Sequence, residues 1–276
     1  EGDSTTFTDL SQFTPPLGVE IQTWLWDFGD GNTSTDQNPT HLYSNAGVYN
    51  AVLIVTDTNG CQGYDTNVVI VDTLPIANFS FTDTICLGDT TFFSDLSVNT
   101  SGNINNWQWN FGDGNTSTDI NPYHIYSNPG TYTVTLTVTD DNLCTHTDTQ
   151  TVIIRPNPIA SFTATTVCVG DTTELISTSI SDSIYANIAG TINSWQWNFG
   201  DGNGYGDDLD IIQHAYTSDG PYLVTLIVTD QYGCDTEVSD SVYVTPGPIA
   251  NFTSDTVCEG DSTTFTDLSQ FTPPLG

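Results

Sequence analysis

With 276 residues the chain has room for two or three domains. It carries 34 acidic residues against one basic residue, Arg155, for a formal charge of −33. Such acidity argues against nucleic acid and anionic membranes as partners, because phosphate binding needs Lys and Arg, and it rules out internal ion-pair networks. An apolar content of 37% with 13 Phe, 12 Tyr and 6 Trp argues against disorder, and no apolar run approaches the ~18 residues of a membrane span.

Residues 1–18, EGDSTTFTDLSQFTPPLG, recur letter for letter as residues 259–276. Between the two copies three segments align: TWLWDFGDGNTSTDQNPTHLYSNAGVYNAVLIVTDTNGC, NWQWNFGDGNTSTDINPYHIYSNPGTYTVTLTVTDDNLC and SWQWNFGDGNGYGDDLDIIQHAYTSDGPYLVTLIVTDQYGC. Their second Trp falls at Trp26, Trp109 and Trp197, at spacings of 83 and 88 residues. The repeated eighteen residues return after 258 positions. The pattern predicts a 258-residue super-repeat of three domains, cut from a longer array.

Within each unit the elements read as β. In WQWNF, Trp107, Trp109 and Phe111 share one strand face and are expected in the core. The Gly-Asp-Gly sets around Asp30, Asp113 and Asp201 shape the following turn, with glycine free to take positive φ and Asp capping through its own side chain. Residues 130–140, GTYTVTLTVTD, alternate as a half-buried strand. The stretch ASFTATTVCVGDTTELISTS predicts two shorter strands divided by Gly-Asp. About seven short strands per ~85 residues point to an Ig-like antiparallel sandwich. Short, stiff proline linkers at 71–77, 155–160 and 245–250 divide the chain into domains 1–72, 73–155, 156–245 and the start of a fourth, 246–276. The first lacks its opening strand, which the preceding repeat would supply.

The ordered blocks W-[DN]-F-G-D-G, H-x-Y and G-x-Y-x-[VA]-x-L-x-V-T-D resemble the polycystic-kidney-disease (PKD) repeat, of the kind found in very large secreted or surface proteins of Bacteroidetes-type bacteria. Trp26, Trp109, Trp197, Asp30, Asp113 and Asp201 carry the signature. The resemblance implies tandem Ig-like sandwiches arranged head-to-tail, acting as spacer, adhesion or assembly modules, occasionally calcium-binding and not catalytic. The third unit departs from the pattern after GDGN and has a longer stretch before its WQW strand.

His41, His124 and His214 hold the same slot in each unit, yet no second ligand or base accompanies them at fixed spacing in the sequence, so they read as packed structural residues. For calcium, the DGNTSTD loops offer Asp30, Asp36, Asp113 and Asp119, and a denser cluster offers Asp201, Asp207, Asp208 and Asp210. The loops lack the central Gly and distal Glu of an EF-hand. No cofactor is required on this reading. Cys86, Cys168 and Cys258 precede a Gly-Asp, and Cys61, Cys144 and Cys234 follow a TD turn. An even, regular set without CxxC reads as disulfides in an oxidising, extracellular or bacterial-surface setting. In an Ig-like sandwich these two turns lie at opposite ends, ~25 Å apart, whereas a disulfide needs Cα atoms within about 4.4–6.8 Å. The expected bond is therefore interdomain, Cys86 to Cys234, with Cys61, Cys144, Cys168 and Cys258 pairing to adjacent repeats. The competing scheme is intradomain, Cys86–Cys144 and Cys168–Cys234. The expected function is a structural unit of a long extracellular fibre or stalk, whose partners are neighbouring copies in one chain and other identical fibres. The alternative is an adhesin binding glycan or protein through variable loops 180–192 and 203–212.

Overall fold

The computed structural model describes residues 4–12, 19–82, 85–203 and 208–270. One strand plan recurs three times. In the first domain the tryptophan strand Ile21–Asp27 lies between the short Thr33–Ser34 and the long Gly47–Asp57, which pairs in turn with Gln62–Val71. A smaller sheet pairs Ser4–Thr6 with Thr40–Leu42. In the second domain the same places are taken by Ile104–Asn110, Thr116–Ser117, Gly130–Asp140 and Thr145–Ile154, with a second sheet of Tyr123–His124, Thr91–Asp95 and Phe79–Phe81. In the third, Ile192–Asn198, Gly220–Asp230 and Asp235–Thr245 form the large sheet with Val167–Cys168 at its edge, and Phe162–Ala164, Thr172–Ser177 and Ile211–Ala215 form the other. Phe252–Ser254 then pairs with Phe265–Asp267. Among the described residues the one helical turn is the 3-10 turn Ser183–Tyr185, and no helix is long and apolar enough to cross a membrane.

Alternation sets the faces. Along Gly130–Asp140, Val134, Leu136 and Val138 are buried while Thr133, Thr135, Thr137 and Thr139 take the other face. The β-branched side chains on both faces suit a pleated strand. In all three tryptophan strands one residue is left out of register against the central strand, between Ile21 and Thr23, opposite Thr139/Asp140, and between Ile192 and Ser194, as in a β-bulge. Residues 160–179, read as two strands, hold three. The chain pairs antiparallel with Thr172–Ser177 through Phe162–Ala164, breaks at Thr165-Thr166, and then pairs parallel with Val244 and Thr245 through Val167–Cys168. One segment thus serves both sheets.

Two compact units divide the chain. The first comprises Glu1–Phe81, Phe92–His124 and Thr133–Thr151; the second comprises Thr82–Thr91, Ile125–Tyr132 and Val152–Gly276. The division falls inside the second domain, so the turn carrying Cys86 belongs with the third. In the first unit one core gathers Trp26, Phe28, Tyr43 and Leu53, and another sets Phe79 edge-on to Trp109 at 5.2 Å between ring centroids. In the second unit Leu175, Trp197, Phe199, Tyr216 and the valines of the long strands form the core.

Leu136 is completely buried. Leu136→Ala should lower unfolding free energy by about 2–5 kcal/mol in urea titrations followed by tryptophan fluorescence, through lost transfer energy and the cavity left behind. Thr135→Ala, on the outward face, should stay within about 0.5 kcal/mol.

Candidate functional site

The loop after each tryptophan strand is built the same way. Gly29 sits at φ +81°, and a Cβ there would lie 2.6 Å from Asn50 O; Gly112 sits at φ +83°, where a Cβ would meet Thr133 O at 2.5 Å. Glycine is required for both reasons. Asp30 Oδ1 accepts from the backbone N–H of Asn32 at 3.0 Å, closing an Asx turn, and Oδ2 accepts from the Asn32 side chain at 3.0 Å. The same Oδ2 meets His41 Nε2 at 2.8 Å. Asp113 meets His124 at 2.8 Å and Asp201 meets His214 at 2.7 Å. Each imidazole stacks on a phenylalanine: Phe28–His41 at 4.0 Å, Phe111–His124 at 4.4 Å and Phe199–His214 at 4.0 Å between centroids. Tyr43 and Tyr216 donate from their hydroxyls to the carbonyls of Phe28 and Phe199 at 2.9 and 3.1 Å. The histidines are packed structural residues, but a carboxylate does accompany each of them, 11, 11 and 13 residues upstream. Sequence reading missed that pairing. The repeated 11-residue spacing in the first two units was the available signal.

Burial pushes the Asp30 carboxyl up, but the Asn32 backbone, His41 and the Asn32 side chain outweigh it and bring it to about 2. Asp113 and Asp201 are lowered through the same contest. For Tyr216, burial, then the charge of Asp201 and Tyr222, raise the phenol to about 12. The cassette therefore ties a loop to the core. A hydrogen-bonded, stacked imidazole and an engaged carboxylate are spent on structure.

The acids expected as calcium ligands lie at separate places in the loops, several of them tied in through the backbone. Asp36 and Asp119 lend their backbone carbonyls to the indole N–H of Trp26 at 3.1 Å and Trp109 at 2.9 Å. Asp208 Oδ1 accepts from the backbone N–H of Trp195, and Asp210 O accepts from Ser177 N at 2.7 Å. Asp207 lies outside the described residues. Among the described residues no three His, Cys, Asp or Glu side chains gather as a metal site.

The second compact unit contains the junction of the second and third domains. There Cys86 and Cys234 form a disulfide with Cα atoms 5.5 Å apart, across 148 residues. Cys234 is fully buried and Cys86 is 9% exposed. Arg155 lies beside this bond. Its backbone accepts from Leu87 N at 2.8 Å and donates to Ile85 O at 2.9 Å. Its guanidinium carbon stands 3.4 Å over the Tyr232 ring, and Nη1 donates to Ile188 O at 2.8 Å. Asn157 adds a bond from Nδ2 to Leu87 O at 3.2 Å. The role of Arg155, the sole base, was not legible in the sequence. The 180–192 insertion, a binding loop in the alternative reading of the sequence, also has structural contacts that the sequence did not reveal. Its Asp182 caps the 3-10 turn by accepting from Ile184 N at 2.9 Å, its Ile188 carbonyl holds Arg155, and its Gly190 packs on Asp230 where a Cβ would collide. Of the other variable loop, 204–207 fall outside the described residues. Cys61 and Cys168 are free and exposed, as is Cys258.

Repeated sandwiches, a repeated loop cassette and a cross-linked junction define a tandem β-sandwich protein. The PKD domain family matches residues 1–71, 72–154 and 155–246, and the chain belongs to that family. A microbial collagenase of Vibrio alginolyticus is 44% identical over 80 residues, 27% of this chain and 10% of its own length. The pre-pro-metalloprotease PrtV of Vibrio cholerae serotype O1 is 34% identical over 124 residues, 44% of this chain and 13% of its own length. The chain thus spans about a tenth of the length of these curated relatives. The crystal structure of the PKD1 domain of Vibrio cholerae PrtV aligns at 36% identity over 30% of this chain and 98% of that domain, with a TM-score of 0.28.

Depressed carboxyls stabilise the fold above the unfolded Asp range of about 3.9, and that contribution is lost as pH falls through their folded values, about 2 for Asp30. A chain carrying Asp30→Asn, Asp113→Asn and Asp201→Asn should therefore show lower Tm at pH 7 and a shallower fall of Tm between pH 4 and 2. An unchanged slope would exclude these carboxylates from acid unfolding.

Replacing both junction cysteines, Cys86→Ser with Cys234→Ser, should cost about 2–4 kcal/mol of stability. It should also speed amide exchange at Leu87 and Arg155, measured by hydrogen–deuterium exchange. Exchange there identical to the parent would mean that the backbone pairing holds without the bond.

Proposed function

We propose that the chain is one period of a long extracellular array of PKD domains, serving as a stiff fibre or stalk and not as a catalyst. The observation that carries this reading is the identity of residues 1–18 and 259–276. Eighteen matching letters, beside three domains that have drifted apart, point to recent duplication of a 258-residue unit. The cross-linked junction supports stiffness between the second and third domains. Exposed Cys168 and Cys61 sit in the same turns as Cys86 and Cys234 and would form the corresponding bond between successive periods. Asp171 N donates to Cys168 O at 3.0 Å as Asp89 N does to Cys86 O, and Asp57 N donates to Cys61 O at 3.0 Å as Asp230 N does to Cys234 O at 2.9 Å. The disulfide, and the occurrence of the family in collagenases and a metalloprotease of bacteria, agree with an oxidising extracellular setting. The charge of −33 would then act as a solvated coat that keeps fibres apart.

A second reading, an adhesin, draws on one face of the first domain. Leu25, Val48, Tyr64, Val68 and Ile70 are exposed on its large sheet, where the second domain presents Gln108, Thr131, Thr147 and Thr151 at the first four of these positions and Ile153 at the last. A glycan array probed with the chain discriminates this from a bare spacer.

Three sandwiches in series, with strands of ~8–10 residues plus end loops, give an expected axial repeat of ~100–130 Å. Electron micrographs of native filaments should show that period. Domains clustered around a common centre would sink the fibre reading.

A further inference from the structure

The large sheet of the first domain has an outward face unlike its counterparts. Trp26, Ala51 and Leu53 are buried in the core, so the alternate residues of the same strands face out. Leu25 lies opposite Ile54 and Ile54 opposite Tyr64, while Val48 lies opposite Ile70; Val52 and Val68 stand between these two rows. Tyr64 is 83% exposed, Val48 69% and Ile70 68%. The small sheet of Ser4–Thr6 and Thr40–Leu42 lies on the other side, where Phe7 packs on the core. A strand added to that sheet, or along the edge of Gln62–Val71, leaves this face uncovered.

The repeats supply an internal comparison. In the second domain the row equivalent to Leu25, Ile54 and Tyr64 is Gln108, Thr137 and Thr147, and the two hydroxyls bond to each other at 2.8 Å. Thr135 takes the place of Val52. In the third domain the row is Gln196, Ile227 and Glu237. Threonine suits an outward strand face as well as valine does, so the aliphatic set gains only where something covers it. Charge narrows what that is. Among the described residues the one ionised group on the face is Asp27, at its margin beside Val52, with Oδ1 accepting from Gly29 N at 2.9 Å. With 34 acids and one base, most of the surface repels a second copy; this face does not, and it holds little to draw a basic partner. A sugar ring stacks on aromatic faces, and Tyr64 is the one ring here among the described residues. Aliphatic side chains are what interdigitate between two sheets packed face to face ~10 Å apart.

We propose that this face is the contact between two copies of the chain, first domain against first domain about a two-fold axis. The contact itself stands on the face; the pairing of whole fibres through it rests on the array proposed above. The footprint, three strands wide and running from Val48 to Ile54, is on the order of 300–400 Å2 per partner, against about 800 Å2 for a stable interface. One contact is therefore weak. In an array it recurs once per 258-residue period, and after the first contact each further one on the same two fibres forms at high effective concentration. Fibres pair in register, period against period. An isologous contact is closed, so association stops at two fibres, and the carboxylates elsewhere hold such pairs apart.

The test is sedimentation of the full chain and of a two-period chain joined at the shared eighteen residues, both with free thiols alkylated. The full chain should show a monomer–dimer equilibrium that tightens as sodium chloride screens the acids, and the two-period chain should pair at least tenfold more tightly. Leu25→Gln, Val48→Thr, Tyr64→Thr and Val68→Thr together install the second domain's residues at these positions. They should weaken pairing at least tenfold, with amide exchange at Leu53 as in the parent showing that the domain is folded. Benzoylphenylalanine at position 64, in mixed light and 15N-labelled chains, should cross-link to residues 48–70 of the other copy. A two-period chain that stays monomeric at high salt overturns the contact. So does a quadruple variant that pairs like the parent, as it would if the edge at Ser4–Thr6 did the pairing, or a cross-link that maps to the second or third domain. Glycan binding by a monomeric chain, lost in the quadruple variant, gives the face to a sugar and overturns the contact equally. Pairing through this face while native filaments lack the expected period leaves the contact standing and overturns the array.

Discussion

A chain with one guanidinium and 34 acids must satisfy its carboxylates with neutral donors, and its turns are organised around that need. At the end of each long central strand an aspartate folds back on the turn that follows. Asp57 Oδ1 accepts from Asn59 N at 2.8 Å and Cys61 N at 2.9 Å; Asp140 Oδ1 from Asn142 N at 3.0 Å and Cys144 N at 2.8 Å; Asp230 Oδ1 from Tyr232 N at 2.8 Å and Cys234 N at 3.0 Å. One carboxylate oxygen accepts from two backbone N–H groups at once, which closes the turn. Asp140 is fully buried and Asp230 is 3% exposed, so solvent competes little for either. The carboxylate fixes the backbone of the cysteine and, for Cys234, the place from which its sulfur reaches Cys86. The Asp30, Asp113 and Asp201 turns apply the same device at another loop, with an imidazole added. Turn aspartates do here what salt bridges do in proteins of balanced charge.

Much of the architecture could be read from periodicity because burial is strictly alternating. GTYTVTLTVTD names its own faces, and the buried Val134, Leu136 and Val138 are the residues the pattern selects. The tryptophan strand is equally plain: Trp109 and Phe111 are buried, while Trp107 spends its indole N–H on Asp95 Oδ2 at 2.7 Å. Contacts that cross a loop left no periodic trace. Asp30 and His41 meet across the width of the sheet edge, and in the third unit an insertion stretches the interval to 13 residues. The segment that breaks at Thr165 was read as one strand because nothing in its composition marks a change of partner. Its switch is imposed by pairing with Thr172–Ser177 on one side and Asp235–Thr245 on the other.

The junction shows how an insertion acquires a structural use. The stretch before the third tryptophan strand is longer than its counterparts, and variability there suggested recognition. In the folded chain its Ile188 carbonyl and Gly190 lie against Arg155 and Asp230, both at the junction. The side chain of Asn99 serves Asp140 Oδ2 at 3.0 Å in the second domain. In the third domain no such amide reaches the matching oxygen of Asp230 among the described residues, and Gly190 comes close instead. Local sequence drift has been absorbed as different ways of covering the same buried turn.

Arg155 is followed by Pro156. Trypsin and its relatives cut after Lys or Arg but not before proline, so the chain offers such enzymes no bond at all. The guanidinium that would be recognised is in any case occupied by the Tyr232 ring and the Ile188 carbonyl. Digestion that fragments its neighbours would leave these 276 residues as one piece. Such a stretch withstands proteases of that specificity, and would go uncounted wherever proteins are identified by their tryptic peptides.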